Sequence, residues 1–226
     1  MLTLVLTRHG LTPRSIPEQH LGQRLDVELS AAGRVQAEAL AARLAPVRFE
    51  RIVASPLVRA RQTAEIVAAR LEHPAAVATD ARLLEMDYGD WEGRTYEDIE
   101  VADRTRRRAW EADPASLHCP GGESGGDVAA RARSFLDDLL AAHPESHAAD
   151  DPASLPVLAV GHSSFNRILV CVALDLPVRE FRLRFLQSQV NLTVLRFEHG
   201  IGPSDARLTL LNDVSHVRPP SVPPWE

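Results

Sequence analysis

The 226-residue chain contains no lysine; all 25 of its basic residues are arginine. That absence removes Schiff-base lysine chemistry and the lysine of a Walker-type phosphate loop. Cysteine is scarce: Cys119 and Cys171 stand alone, with neither a CxxC nor a metal-type spacing. A reduced, cytoplasmic setting is therefore expected. Basic excess is also missing. Thirty-one acidic residues against 25 arginines give a net charge of −6, which argues against a nucleic-acid partner. No apolar run approaches the roughly 18 residues of a membrane span, so no membrane partner is expected. The apolar start of the chain has neither the basic flank nor the cleavage site of a secretory signal. No internal repeat or long linker is visible. What is present, 45% hydrophobic and 25% charged residues, is the composition of a globular domain, and the length suffices for a sizeable core.

Apolar runs predict strands at 2–7, 51–54, 75–79, 155–160, 190–197 and 207–211. Ser30 is a good N-cap for a helix reaching about Leu44, with Val35, Ala39, Leu40 and Leu44 on one face. Leu57, Ala60, Ala64, Val67 and Leu71 step by three and four, as do Val128, Ala132, Phe135 and Leu139, so helices follow the second strand and cover 127–143. A further helix is expected at 165–174. Residues 86–123 have weak periodicity and many charges and read as a loop-and-helix insertion. The segments 14–29 and 143–156 read as loops, and the proline-rich 218–226 as a flexible tail. Alternating strands and helices predict a single α/β domain over 1–217. It would be a three-layer α/β/α sandwich with a mostly parallel sheet, carrying the insertion over a site beyond the carboxyl ends of the strands.

Three strand ends carry the chemistry. "TRHG" closes the first strand, "ASPLVRARQTAE" leads from the second into a helix, and "VGHSSFNR" leads from the fourth into another. Together they bring Arg8, His9, Arg59 and His162 to one edge of the sheet. Guanidinium forks bind phosphate oxygens in paired, charge-assisted hydrogen bonds. Neighbouring cations disfavour a protonated imidazole, which keeps its lone pair available as a nucleophile. Glycine lets the backbone approach a ligand closely.

These motifs resemble the histidine phosphatase superfamily, the phosphoglycerate-mutase-like fold. Besides "LTRHGLT", "ASPLVRARQTAE" and "VGHSSFNRIL", the resemblance is carried by "LSAAGRVQA", "LLEMDYGDWEG", "PGGES" and "LNDVSHV", in the family's order along nearly the whole chain. It implies a phosphomonoester hydrolase that uses neither metal nor cofactor. His9 would be the nucleophile that becomes phosphohistidine. Arg8, Arg59 and His162 would hold the transferring phosphoryl group, with Thr12, Ser15 and Ser163 as further phosphate-binding candidates. Glu85 would protonate the leaving oxygen, because expelling an alkoxide at neutral pH needs a positioned acid. The family often has asparagine where Ser15 stands, and Leu11 replaces its usual polar residue.

The expected partner is a small phosphorylated metabolite. A late strand at the sheet edge leaves room for a homodimer. The competing readings are a cofactor-dependent phosphoglycerate mutase, for which "EMDYGDWEG" and the modest length are unfavourable, and a catalytically silent phosphate-binding protein. A nucleophile elbow with Ser163 and His216 lacks the second glycine, since Phe165 occupies its place. His20, His73, His118, His143, His147 and His199 are expected at the surface, and His216 is expected to be structural. Arg106, Arg107 and Arg108 are expected on a solvated helix face, and Arg14 in a solvated loop. Trp91 and Trp110 are expected to pack the insertion, with a place in the pocket wall left open.

Overall fold

The computed structural model describes residues 2–143, 155–197 and 206–217. The expected tail, most of the 143–156 loop, His147 and His199 lie outside the described residues. β1 (Leu2–Arg8), β2 (Arg51–Ala54), β3 (Val77–Thr79), β4 (Val157–Gly161), β5 (Leu192–Phe197) and β6 (Ala206–Asp213) form one sheet in the order β3-β2-β4-β1-β5-β6. β1 to β4 run parallel, β5 is antiparallel to β1, and β6 is antiparallel to β5. The mostly parallel sheet is thus as expected, with an antiparallel edge.

Alternation along the central strands explains the layers. Leu4, Leu6, Val157 and Ala159 join a core with α5 (Gly125–Ala142) and α6 (Ser163–Ala173). Val5, Leu158 and Val160 point the other way, into a core with α1 (Ala31–Leu44) and α2 (Val58–Arg70). Both faces are covered, which is why these strands read as continuous apolar runs rather than alternating ones.

Helix ends follow local chemistry. The Ser30 hydroxyl accepts from the Gly33 N–H, as expected of an N-cap. Ser124 and Asp127 form a reciprocal capping box that starts α5, a device typically worth about 1 kcal/mol. The expected face of α1 needs correction. Val35 is 69% exposed, and the buried residues are Gly33, Ala37, Leu40, Ala41 and Leu44. The helix is rich in small residues, so close packing selected the glycine and alanines rather than the valine.

The insertion contains α3 (Tyr96–Ala102) and α4 (Arg104–Ala112). Trp91 and Trp110 pack edge to face with centroids 5.7 Å apart, and the Trp91 indole donates to Asp103. Gly89 has φ +57, and a Cβ there would stand 2.0 Å from the Pro120 carbonyl oxygen. This close approach seats "DYGDW" on "PGGES" and accounts for the glycine. The loop after β1 is tied to the insertion by Gln19 pairing with Thr95 and by the Glu92 carboxylate, which accepts from the N–H groups of Gln23, Arg24 and Leu25. A short helix, α7 (Phe181–Arg184), follows α6.

Candidate active site

Register brings the site together. Arg8 of β1 lies opposite Gly161 of the adjacent parallel β4, and the His9 N–H donates to the Gly161 carbonyl. His9 and His162 therefore leave neighbouring strand ends side by side, with ring centroids 5.2 Å apart. β2 ends in step with them, since the Ser55 N–H donates to the Val160 carbonyl. Arg59 follows in the first turn of α2.

The His9 ring is fixed by one hydrogen bond, from Nδ1 to the Gly10 carbonyl at 2.7 Å. A carbonyl only accepts, so Nδ1 carries the proton and Nε2 keeps its lone pair. Burial, then the charges of Arg59 and Arg8, hold the His9 pKa well below the usual histidine value. The ring is neutral at pH 7. His162 is depressed likewise, by burial and then by Arg59, His9 and Arg8. Gly10 is braced from behind: its N–H donates to the Thr63 hydroxyl, which donates to the Arg59 carbonyl.

Arg8 donates to the Gln187 carbonyl at 3.0 Å and sits 3.6 Å from Glu18. Arg59 is fully buried. It donates to the carbonyls of Leu21, Gly22 and Leu25 and lies 3.9 Å from Asp26. Arg8 Nε, Arg59 Nε and both ring nitrogens of His162 are buried without a partner among the described residues. Native proteins rarely leave such groups orphaned, and the oxygens of a bound oxyanion would satisfy them.

The carboxylate of Glu85 is held by three backbone N–H groups. Oε1 accepts from Met86 at 2.9 Å and Phe165 at 3.0 Å, and Oε2 accepts from Ser164 at 3.1 Å. Two of these donors belong to the first turn of α6, where helical amides lack internal partners. Oε1 is saturated and Oε2 keeps one open position.

A cleft open to solvent lies against this cluster. Arg8, His9, Ser15, Glu85 and Ser163 line it; Arg59, His162 and Thr12 do not. Arg59 and His162 are fully buried beside His9. Thr12 serves the turn instead, its hydroxyl shared with Ser15 Oγ and accepting from the Arg14 N–H. Ser163 Oγ accepts from Arg167, and His216 Nε2 is bound to the Val190 carbonyl. The two partners of the elbow reading are thus engaged elsewhere. Among the described residues no three His, Cys, Asp or Glu side chains group as a metal would require.

The histidine phosphatase superfamily (branch 1) model matches residues 4–212. The chain belongs to the histidine phosphatase superfamily. Over 175 residues it is 41% identical to the glucosyl-3-phosphoglycerate phosphatase of Mycobacterium tuberculosis (strain ATCC 25618 / H37Rv), an alignment covering 77% of this chain and 76% of the relative. It is 30% identical over 223 residues to the probable phosphoglycerate mutase GpmB of Erwinia tasmaniensis, covering 96% and 95% of the two. The solved native structure of mycobacterial glucosyl-3-phosphoglycerate phosphatase superposes with a TM-score of 0.82 at 36% identity, covering 93% of this chain and 98% of that one. The expected enzyme class, a phosphomonoester hydrolase, stands with this membership.

The superfamily's strand-end motifs lie at one end of the cleft, and its walls hold Trp110, one of the two tryptophans for which the sequence left a wall position open, together with residues the sequence placed elsewhere. His20, expected at the surface, is buried between the rings of Tyr88 and Tyr96 at 4.8 and 4.5 Å, and burial lowers its pKa to about 4. Its polar sequence surroundings gave no sign of this. Arg14 lines the cleft and donates to Gln19 at 2.9 Å. Trp110 is both buried and part of the wall. Arg107 is only 17% exposed and packs over Tyr96, unlike its solvated neighbours Arg106 and Arg108. Arg167 was findable: helical spacing puts it on the same face as Ser163, one turn on. Both cysteines are buried, and burial pushes the Cys119 thiol up to about 12 and the Cys171 thiol to about 11. Such thiols are inert.

Proposed function

We propose that this phosphomonoester hydrolase works without a metal, through a phosphohistidine on His9. The observation that carries the proposal is the His9 ring: neutral, its proton held at Nδ1, and Nε2 free in a cleft flanked by arginine. Nε2 attacks phosphorus and the ester P–O bond breaks. Arg8, Arg59 and His162 stabilise the charge spread over the phosphoryl oxygens. Glu85, through Oε2, gives its proton to the departing alkoxide. Water then attacks the phosphohistidine, Glu85 takes back a proton, and phosphate leaves with His9 restored.

Ser15 and Ser163, both on the cleft, add hydroxyl donors to the phosphate. Thr12 contributes by holding Ser15 in place. The substrate is a small phosphorylated metabolite, and the kinship at 41% identity makes glucosyl-3-phosphoglycerate the first to assay. The enzyme works in the cytoplasm, and the last strand of the sheet, β6, is where a homodimer would form.

The test is phosphate release from p-nitrophenyl phosphate with EDTA present. Wild type should turn over and folded His9→Ala should not. Activity retained in His9→Ala removes the mechanism. The kinship to probable mutases supports a second reading, phosphoryl return to product. Interconversion of 2- and 3-phosphoglycerate far faster than phosphate release would decide for it.

A further inference from the structure

The cleft concentrates positive charge on a chain whose net charge is −6. Arg8, Arg14, Arg167 and Arg182 line it, against Glu18 and Glu85. Three of these arginines have evident partners. Arg8 has Glu18 and the Gln187 carbonyl. Arg14 donates to Gln19, and Arg182 lies 3.6 Å from Glu111 with its guanidinium 4.8 Å over Trp110. Arg167 differs. Its one polar partner among the described residues is the neutral hydroxyl of Ser163, and its Nε is buried without a partner. Its charge also bears on Arg8, whose pKa it helps to lower. Two like charges are thus held together in a half-buried wall; the carboxylates of Glu18 and Glu85 act on Arg8, and among the described residues none forms an ion pair with Arg167.

A phosphoryl dianion on His9 is matched by Arg8 and Arg59, and Arg167 is left over. We infer that Arg167 is a specificity-determining residue that binds a second anionic group of the substrate. The preferred substrates are then phosphomonoesters that also carry a carboxylate or another phosphate. A guanidinium with free N–H groups in a cleft wall forms charge-assisted hydrogen bonds with either group. The inference rests on the proposal that the phosphoryl group sits at His9.

The test compares ligands differing only in the second group, by calorimetry at pH 7 on the His9→Ala protein, which does not turn them over. 3-Phosphoglycerate and glycerol 3-phosphate differ by a carboxylate against a hydroxymethyl group. Fructose 1,6-bisphosphate and fructose 6-phosphate differ by a phosphate. In one pair the doubly anionic ligand should bind about tenfold or more tighter, the scale of one charge-assisted hydrogen bond. The pair showing the preference identifies the second group. Adding Arg167→Gln should bring that ratio toward one, and Arg167→Lys, which keeps the charge, should restore part of it. Ratios of one in both pairs, or a preference that survives Arg167→Gln in a folded protein, overturn the inference. Wild-type turnover of p-nitrophenyl phosphate reports separately on the parent reading: turnover with ratios of one defeats the second-anion site alone.

Discussion

Gly33→Ala sets two known effects against each other at a position packed against the turn that carries His9, the proposed nucleophile. Gly33 lies in the first turn of α1, where alanine is favoured over glycine by about 1 kcal/mol. A Cβ there, however, would stand 2.0 Å from the Leu11 carbonyl oxygen and 2.8 Å from the Leu11 nitrogen. Both are backbone atoms, so no side chain can swing aside. The chain must open by about 1 Å to restore the 3.0 Å that real Cβ contacts respect. Overpacking of this kind costs typically 1–3 kcal/mol, and backbone overlap belongs near the top of that range. After the helix gain, a net loss of about 2 kcal/mol remains, or roughly 4–8 °C in Tm for a chain of this length. Leu11 is two residues from His9, and Gly10 meets the same turn from the other side, since a Cβ on Gly10 would lie 2.5 Å from the Gly33 carbonyl oxygen. The opening therefore reaches the turn of His9, and if His9 is the nucleophile as proposed, about 1 Å of misplacement there can cost on the order of 100-fold in rate. Thermal denaturation and kcat/KM on p-nitrophenyl phosphate read the two effects. A Gly33→Ala protein as stable and as active as wild type would falsify the close approach of α1 to the turn.

Glu85→Gln should slow hydrolysis of alkyl phosphates far more than that of p-nitrophenyl phosphate, whose leaving group needs little protonation; equal losses on both would remove Glu85 as the acid. His20 predicts a pH effect on stability. Its folded pKa of about 4 lies below the ordinary 6.5, so its contribution is whole above pH 6.5 and is lost as the pH falls toward 4. At 1.36 kcal/mol per unit, that loss is about 3 kcal/mol. Denaturant melts from pH 7 to 4 should show a shallower acid loss in His20→Phe than in wild type, and parallel curves would disprove the linkage.

The strands and the two helices with large apolar residues were legible because their signals are local. β1, β2 and β4 are buried runs, and α2 and α5 repeat at helical spacing. α1 was placed by its cap, and Leu40 and Leu44 are buried as expected, but Val35 is not, because Gly33, Ala37 and Ala41, which fill the rest of the buried face, carry little periodic signal. His9, Arg8, Arg59 and Glu85, the residues proposed to carry the reaction, were legible as motifs. What holds them was not: Glu85 is fixed by amides of Ser164 and Phe165, 79 and 80 residues away. His20 was misplaced for the same reason, since its burial depends on Tyr88 and Tyr96 from the insertion.

Arg59 shows most clearly what geometry adds to a motif. The sequence presents it as a phosphate ligand, yet its terminal nitrogens donate to the carbonyls of Leu21, Gly22 and Leu25, and only Nε is orphaned. The same loop segment is gripped from the insertion by Glu92 through Gln23, Arg24 and Leu25. One buried guanidinium therefore joins the wall of the cleft to its floor. On the proposed mechanism, a phosphoryl oxygen that takes up Nε meets a guanidinium already ordered by the loop, so it is pre-organised before the ester arrives. Preorganised charge of this kind stabilises a transition state without reorganisation at the moment of reaction. A short side chain at position 59 would remove the charge and release the loop together, and no added cation in solution would replace both.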